Sequence, residues 1–327
     1  MTRIVVALGG NAILAKGARG SAAEQRETVR TACDQLVGLI AEGHELVVTH
    51  GNGPQVGRML VQQRAAQLEV PPMPLDVLDA QTQGQIGYLL AQQLGNALTA
   101  AGLDHPVAAV VTQVVVDPDD PAFGAPDKPV GPHYTETELE FRAQRADGGE
   151  QSPDGQQWEV DGEAYHQVDG GTWRRVVPSP QPLDIVEVEA VRRLLVAGIV
   201  PICAGGGGCP VAVGEDGKLA GVEAVVDKDR TAALLVRLVD AEVLLILTDV
   251  EQVLLDYGTD DERPLGEVTV AQARELLDAG QFPAGSMGPK ISAAADVAEC
   301  GGQAVITSLD RAAEALRGNA GTRIVKG

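Results

Sequence analysis

A chain of 327 residues, 44% apolar and 22% charged, has material for one large or two ordinary domains and an ample core. No apolar run is long enough to cross a bilayer, which excludes membrane spans. The 46 acids against 25 bases leave a net charge of −21, a field that repels nucleic acid and anionic lipid. An anionic substrate must therefore be received by a local cluster of cations and backbone N–H groups. The scattered cysteines, Cys33, Cys203, Cys209 and Cys300, match neither zinc nor redox spacing and fit a reduced cytoplasm. The first residues run straight into an apolar β-branched stretch, a strand start rather than a signal peptide.

That strand, residues 4–8, is broken by Gly9-Gly10-Asn11-Ala12. Val29, Cys33, Leu36, Val37 and Ile40 then recur at helical spacing, with Ser21 and Glu24 as a capping box and Gly43 as a stop. The unit repeats: 45–50 reads as a strand, Gly51-Asn52-Gly53-Pro54-Gln55 as a turn and 56–67 as a helix. A further helix covers about 75–101, and 107–116 is the third strand. Three strands separated by helices imply parallel pairing in a covered sheet.

Residues 123–173 change character. Gly-Gly, Pro-Asp-Gly and Asp-Gly turn signals appear, and helical periodicity fades after about Arg145. Between Tyr134 and Thr172 there are ten acids and two bases, yet this stretch with its flanks holds six of the nine aromatics: Phe123, Tyr134, Phe141, Trp158, Tyr165 and Trp173. Disordered segments are poor in aromatics, so the composition predicts a small ordered appendage with its own core, hairpin-like around Trp158 and Tyr165, and a candidate lid.

From 184 the alternation resumes with a helix to about 197, a strand at 199–203, and then Gly205-Gly206-Gly207-Gly208. A hairpin-like stretch at 214–217 precedes a helix after Asp229 and a strand at 243–247. Helices at 269–280 and 287–299 and a last major strand at 303–307 follow. The fold class is α/β, in two successive halves joined near the appendage.

Four glycine-rich turns sit at strand ends or helix starts: Gly9-Gly10, Gly51-Asn52-Gly53, Gly205 to Gly208, and Gly285-Ser286-Met287-Gly288. Any one is explained by a tight turn; four at one sheet edge point to an anion held on backbone N–H groups. The usual fingerprints fail, since there is no G-x-x-x-x-G-K-[ST] and the 51–57 segment is one residue too long for G-x-G-x-x-G. Lysine usage says more. Of 19 arginines and six lysines, Lys128 opens the appendage, Lys228 lies between Asp227 and Asp229 at a helix start, and Lys290 follows Gly285 at another. A compact ammonium suits point-charge stabilisation of a phosphoryl group. Lys218, in the Glu215-Asp216-Gly217 turn, reads as a solvated charge, and Arg230 as a helix-surface charge. The histidines His44, His50, His105, His133 and His166 lack metal-ligand spacing, although His50 adjoins the second glycine turn and is placed to orient it.

Nine ordered segments give the chain a family resemblance. They are Ala-Leu-Gly-Gly-Asn-Ala at 7–12, His-Gly-Asn-Gly-Pro-Gln-Val-Gly at 50–57, Thr-Gln-Val-Val-Val-Asp-Pro at 112–118, Lys-Pro-Val-Gly-Pro at 128–132 and Trp-Arg-Arg-Val-Val-Pro-Ser-Pro at 173–180. Gly-Gly-Gly-Gly at 205–208, Gly-Val-Glu-Ala-Val-Val-Asp-Lys-Asp at 221–229, Leu-Thr-Asp-Val at 247–250 and Gly-Ser-Met-Gly-Pro-Lys at 285–290 complete the set. From residue 5 to about 325 the chain resembles the carbamate kinases of the amino acid kinase superfamily. The resemblance implies an open αβα sandwich with a mainly parallel central sheet, a small protruding subdomain at 123–172, and a homodimer in the cytoplasm. It implies reversible phosphoryl transfer between ATP and carbamate, giving ADP and carbamoyl phosphate, with Mg²⁺ bound on the nucleotide, in arginine and carbamoyl phosphate metabolism.

By the same resemblance, residues 1–122 and 173–230 hold the acceptor and 231–327 the nucleotide. Lys128, Lys228, Asp229 and Lys290 are the catalytic set. Gly9, Gly10, Asn11, Gly51, Asn52, Gly53, Gly206 and Gly207 bind the acyl phosphate, while Thr248, Asp249, Val250, Tyr257 and Met287 line the nucleotide pocket. Two departures stand out. Ala7 occupies a position where most superfamily relatives carry Lys, which favours carbamate over other acyl acceptors. Gly-Gly-Thr at 170–172 replaces the family's Gly-Arg-Gly, leaving Arg174 or Arg175 to compensate. The alternatives are another acyl-phosphate-forming kinase of the superfamily and a nucleotide sensor without turnover.

Overall fold

In strand Arg3–Leu8 every residue from Ile4 to Leu8 is fully buried. Side chains alternate faces along a strand, and here both faces are covered. Ile4, Val6 and Leu8 pack with Val29, Cys33 and Leu36 of helix Ala22–Ala41 and with Ile86 and Leu90 of helix Leu75–Ala100. Val5 and Ala7 face the opposite layer, with Leu235 of helix Lys228–Leu238 and Ile291 of helix Met287–Glu299. Burying one such aliphatic side chain contributes about 1.5–3 kcal/mol, so the strand anchors both layers of an αβα sandwich. The computed structural model describes residues 2–146, 149–152, 154–283 and 285–327.

The central sheet has eight strands in the order Glu267–Thr269, Thr322–Val325, Gln303–Ser308, Val243–Thr248, Arg3–Leu8, Glu45–His50, Val200–Ile202 and Val107–Ala109. All pairings are parallel except Gln303–Ser308 with Thr322–Val325. The chain leaves Leu8 towards the helix Ala22–Ala41 layer and leaves Thr248 towards the opposite one. Divergent exits from adjacent parallel strands open a crevice at their carboxyl ends, the usual ligand site of such sheets.

The capping box forms as the sequence indicates: the Ser21 hydroxyl accepts from the Glu24 backbone N–H, and the Glu24 carboxylate accepts from that of Ser21. Two expectations differ. The 107–116 run is not one strand, because the Gln83 side chain takes the backbone of Thr112 through both its N–H and its carbonyl. Val107–Ala109 stays in the main sheet, while Gln113–Val116 joins a second sheet with Pro182–Ile185, Cys209–Val213 and Leu219–Gly221. Residues 182–185, where a helix was expected to start at 184, are therefore a strand, and the helix runs Val188–Val196.

The appendage is a five-stranded antiparallel sheet, Lys128–Tyr134, Thr172–Val177, Glu163–Val168, Gln157–Val160 and Gly149–Gln151, with helix Glu136–Arg145 packed on it. Leu139, Trp158, Val160, Tyr165 and Trp173 form its separate core, and Trp158 pairs with Tyr165 across the expected hairpin. The sheet extends past 172 to Val177, so its last strand carries Arg174 back under the lid. Pro153, in one of the turn signals, lies outside the described residues. Arg64, on helix Gly53–Ala66 of the main body, donates to the Tyr134 hydroxyl and pairs with Glu163, joining the appendage to the sandwich.

Candidate active site

Three helix N-termini meet at the carboxyl edge of the sheet. Helices Gly53–Ala66, Lys228–Leu238 and Met287–Glu299 bring Gly53, Lys228 and Ser286 to the wall of one cleft of about 270 Å³. Unpaired backbone N–H groups and the helix dipoles make such a meeting point favourable for anions. Gly51 keeps the turn close to its neighbours: a Cβ would lie 3.3 Å from Lys228 Cδ, which would have to give by a few tenths of an ångström, and 3.5 Å from the Gly10 nitrogen. Gly206, at φ +71°, leaves room for the Asn52 amide, whose Nδ2 would lie 2.1 Å from an added Cβ.

Asp229 organises the cations. Its carboxylate is 3% exposed and meets Lys228 Nζ at 2.5 Å through Oδ1 and Lys290 Nζ at 3.4 Å through Oδ2. Lys290 Nζ also donates to the Ser286 carbonyl at 3.1 Å. Burial and the neighbouring Lys228 charge depress the Lys290 pKa, and Asp229 opposes them. Asp227 caps the helix, accepting from the backbone N–H groups of Asp229 and Arg230, and its Oδ2 holds Lys128 Nζ at 2.6 Å. Burial alone would raise its pKa; Lys128, Lys228 and the Arg230 N–H outweigh that and hold the carboxyl well below the usual range. Lys128 thus hangs from the first appendage strand onto the helix that bears Lys228.

His50 is fully buried beneath the glycine turns. Burial and Lys228 push its pKa down to about 4 against the bond to Gly51, leaving a neutral imidazole whose Nδ1 lies 3.1 Å from the Gly51 carbonyl. Behind the cleft, Asp79 is 1% exposed and its Oδ1 accepts from Asn52 Nδ2 at 2.9 Å. Burial pushes its carboxyl up to about 8, with the Asn52 bond opposing and Asp76 and Glu223 adding to the rise.

Of the residues singled out in the sequence, Lys128, Lys228, Asp229, Lys290, Gly10, Gly51, Asn52, Gly53 and Gly206 line this cleft together. The others are not among its lining residues. The Gly9 N–H donates to the Leu247 carbonyl and the Gly207 carbonyl accepts from the Thr231 hydroxyl. Asn11 Nδ2 reaches Asp249 Oδ2 at 3.3 Å, and Thr248 Oγ1 meets Asp249 Oδ1 at 3.1 Å. Val250 follows at the end of that strand, Tyr257 is 66% exposed, and Met287 packs against the core.

Asp227 and Asp79 escaped the sequence reading, and of the two arginines it offered as compensating for Gly-Gly-Thr one lines the cleft. Asp227 stood only as a neighbour of Lys228, although an Asp directly before a helix is a recognisable cap. Arg174 lines both this cleft and the adjoining cavity of about 850 Å³ under the appendage, while Arg175 is taken by Glu163. Asp79 interrupts the buried stripe Leu75, Leu78, Thr82, Gln83, Ile86; an acid on an apolar helical face is the signal that could have found it.

Residues 2–308 match the amino acid kinase family. The carbamate kinase of Thermococcus kodakarensis is 46% identical over 330 residues, covering 100% of both chains, and that of Pyrococcus furiosus is 44% identical over 326 residues, 99% of each. Among solved structures, carbamate kinase from Giardia lamblia bound to AMP-PNP superposes with a TM-score of 0.87 at 39% identity, over 100% of this chain and 99% of that one. A protein of Aeropyrum pernix K1 superposes at 0.90, also at 39% identity, over 99% and 100%. With likeness running over the whole length in sequence and in fold, the chain belongs to the amino acid kinase family and, within it, to the carbamate kinases.

Proposed function

We propose that the cleft transfers a phosphoryl group reversibly between ATP and carbamate. The observation that carries this reading is the pair of ammonium groups on the two oxygens of Asp229, set where three helix N-termini converge. Phosphoryl transfer asks for positioning and charge neutralisation rather than covalent help from the protein. A carbamate oxygen forms a bond to the γ-phosphorus while the bond from that phosphorus to the bridging oxygen of ADP breaks, the electron pair leaving with ADP. Lys228 and Lys290 neutralise the transferred group, and Asp229 holds both in place between turnovers. Lys128 exchanges Asp227 for phosphate oxygens as substrate enters. Gly9, Gly10, Asn11, Gly51, Asn52, Gly53, Gly206 and Gly207 form the acyl phosphate side.

The nucleotide lies on the side of Thr248, Asp249, Val250, Tyr257 and Met287; that a nucleotide is bound at all is in keeping with the AMP-PNP in the structure of the Giardia relative. Residues 1–122 and 173–230 then hold the acceptor, 231–327 the nucleotide, and 123–172 serve as the lid. Among the described residues no three His, Cys, Asp or Glu side chains converge as a resident metal centre requires. A Mg²⁺ ion would arrive on the nucleotide phosphates and would there neutralise phosphate charge. Four free cysteines agree with a reducing cytoplasm, and no described helix is long and apolar enough to cross a membrane. The homodimer rests on the family resemblance, and sedimentation tests it.

The decisive assay supplies ADP with carbamoyl phosphate, beside ATP with acetylglutamate, glutamate or aspartate. ATP formed from carbamoyl phosphate is the expected result. Turnover only with an amino acid acceptor would move the protein to another kinase of the superfamily, and binding of ATP without any turnover would make it a sensor.

A further inference from the structure

We infer that Asp79 and Thr82 are positioning residues that turn the Asn52 amide so that its oxygen, not its nitrogen, meets the substrate, and that this oxygen selects the amino group of carbamate. The inference rests on the assignment of Asn52 to the acyl phosphate side of the cleft.

In the observed orientation both anchors accept from the amide. Asn52 Nδ2 donates at 2.9 Å to Asp79 Oδ1 and at 2.9 Å to Thr82 Oγ1. The Thr82 hydroxyl spends its own proton on the Asp79 backbone carbonyl at 2.9 Å, so towards Asn52 it offers only lone pairs. Flipping the amide would set its oxygen against the Thr82 hydroxyl oxygen, whose proton is already spent, so one of the two contacts would be lost. All three side chains are 4% exposed or less, Asn52 at the N-cap of helix Gly53–Ala66 and Asp79 and Thr82 on the buried stripe of helix Leu75–Ala100. With Nδ2 committed twice, Oδ1 is the atom of the amide left without a protein partner among the described residues.

The rest of the cleft has the opposite polarity. Lys128, Lys228, Lys290 and the helix N-termini are donors, suited to phosphate oxygens, and the carboxylates of Asp227 and Asp229 are engaged by the lysines. Carbamoyl phosphate has many acceptors but one donor, its NH₂ group. An oriented amide oxygen in a donor-rich cleft is the complement of that group. A substrate with a methyl group in place of the amine leaves it unpaired, and buried polar groups left unpaired are what give a hydrogen-bonding site its discrimination.

The test compares ATP formation from ADP with carbamoyl phosphate and with acetyl phosphate. In Asp79→Leu, kcat/KM for carbamoyl phosphate should fall roughly tenfold, the size expected for one neutral hydrogen bond. The acetyl phosphate rate and the KM for ADP should stay near the parent's, so the selectivity ratio drops. Asp79→Asn, which keeps an acceptor for Nδ2, should restore most of the ratio. Should Asp79→Leu fail to fold, the isosteric Thr82→Val removes the other anchor and should lower the ratio in the same direction. An unchanged ratio in either folded variant, or an equal loss with both substrates, overturns the inference. Asn52→Leu separates the two levels. If it leaves carbamoyl phosphate turnover intact, the placement of the carbamoyl group at Asn52 is itself wrong. If it abolishes selectivity while the anchor variants do not, only the orienting role is lost.

Discussion

Around Asp229 in the cleft and around Glu163 in the appendage, a single carboxylate gathers several cations, but the cations differ in kind. Asp229 holds two lysines. Glu163 holds three arginines: Arg64 at 3.1 Å and Arg142 at 3.4 Å through Oε2, and Arg175 at 3.3 Å through Oε1. The arginines are further committed. Arg64 and Arg142 lie over the Tyr134 ring at 5.5 and 5.1 Å and donate to tyrosine hydroxyls, and Tyr165 donates to Glu163. Planar guanidinium forks locked between a carboxylate and aromatic rings suit a fixed structure, while a compact ammonium with donors to spare can be shared with an arriving phosphoryl group. In a chain with 19 arginines and six lysines, the placement of the lysines is the informative choice.

The sharpest way to break this contrast is to remove the cleft cations. Lys228→Met and Lys290→Met keep most of the side-chain stem, so the loss reports charge. Each should cost about 3–4 kcal/mol of transition-state stabilisation, roughly 10²–10³ in kcat, with a smaller rise in the KM for nucleotide. Steady-state kinetics of the ATP-forming reaction measures both, and kcat values equal to the parent's would remove the distinction between the two clusters.

Next in size is the appendage. Glu163→Gln leaves Arg64, Arg142 and Arg175 facing one another without their counter-charge, at a cost of about 1.5–3 kcal/mol. Amide exchange should speed up across 128–177 while the central sheet stays protected. Equal protection in both regions would show that the tyrosines and the apolar core hold the appendage by themselves.

A smaller effect links the two regions through Lys128 and Asp227. The folded pKa of Asp227 lies below its ordinary value of 3.8. On acidification the unfolded chain therefore takes up this proton first. The contribution to stability is complete above the ordinary carboxylate range and is lost as pH falls below about 4 towards the folded value. Asp227→Asn should remove up to about 2 kcal/mol of this acid-dependent term, seen as a flatter acid limb in denaturant titrations. An acid limb identical to the parent's would mean that the ion pair does not couple lid and helix.

The smallest expected effect serves as the control. Lys218 is 83% exposed and pairs with Asp216 in its own turn, so Lys218→Met should leave both Tm and kcat at the parent's values. A loss comparable to those at Lys228 or Lys290 would show that the cations of this protein cannot be sorted by burial and partner.

The sequence determined the features with short-range causes. Apolar periodicity and caps placed helices such as Ala22–Ala41 and Met287–Glu299, glycine turns marked the ends of strands, and clustered aromatics announced a core in the appendage. The lysines in unusual settings were legible because each stands beside a turn or an acid in the chain itself. Tertiary structure alone decided what depends on partners distant in sequence. The apolar run at 107–116 carries no local sign of its division, since Gln83 and Cys209 draw the backbone at Thr112 into another sheet. Likewise, nothing near Asn52 states which way its amide points. That follows from Asp79 and Thr82, 27 and 30 residues away, which the helix brings behind the turn. Propensity and capping act over a few residues, whereas orientation of a buried polar group is fixed by whichever acceptors the packed fold leaves within hydrogen-bonding reach.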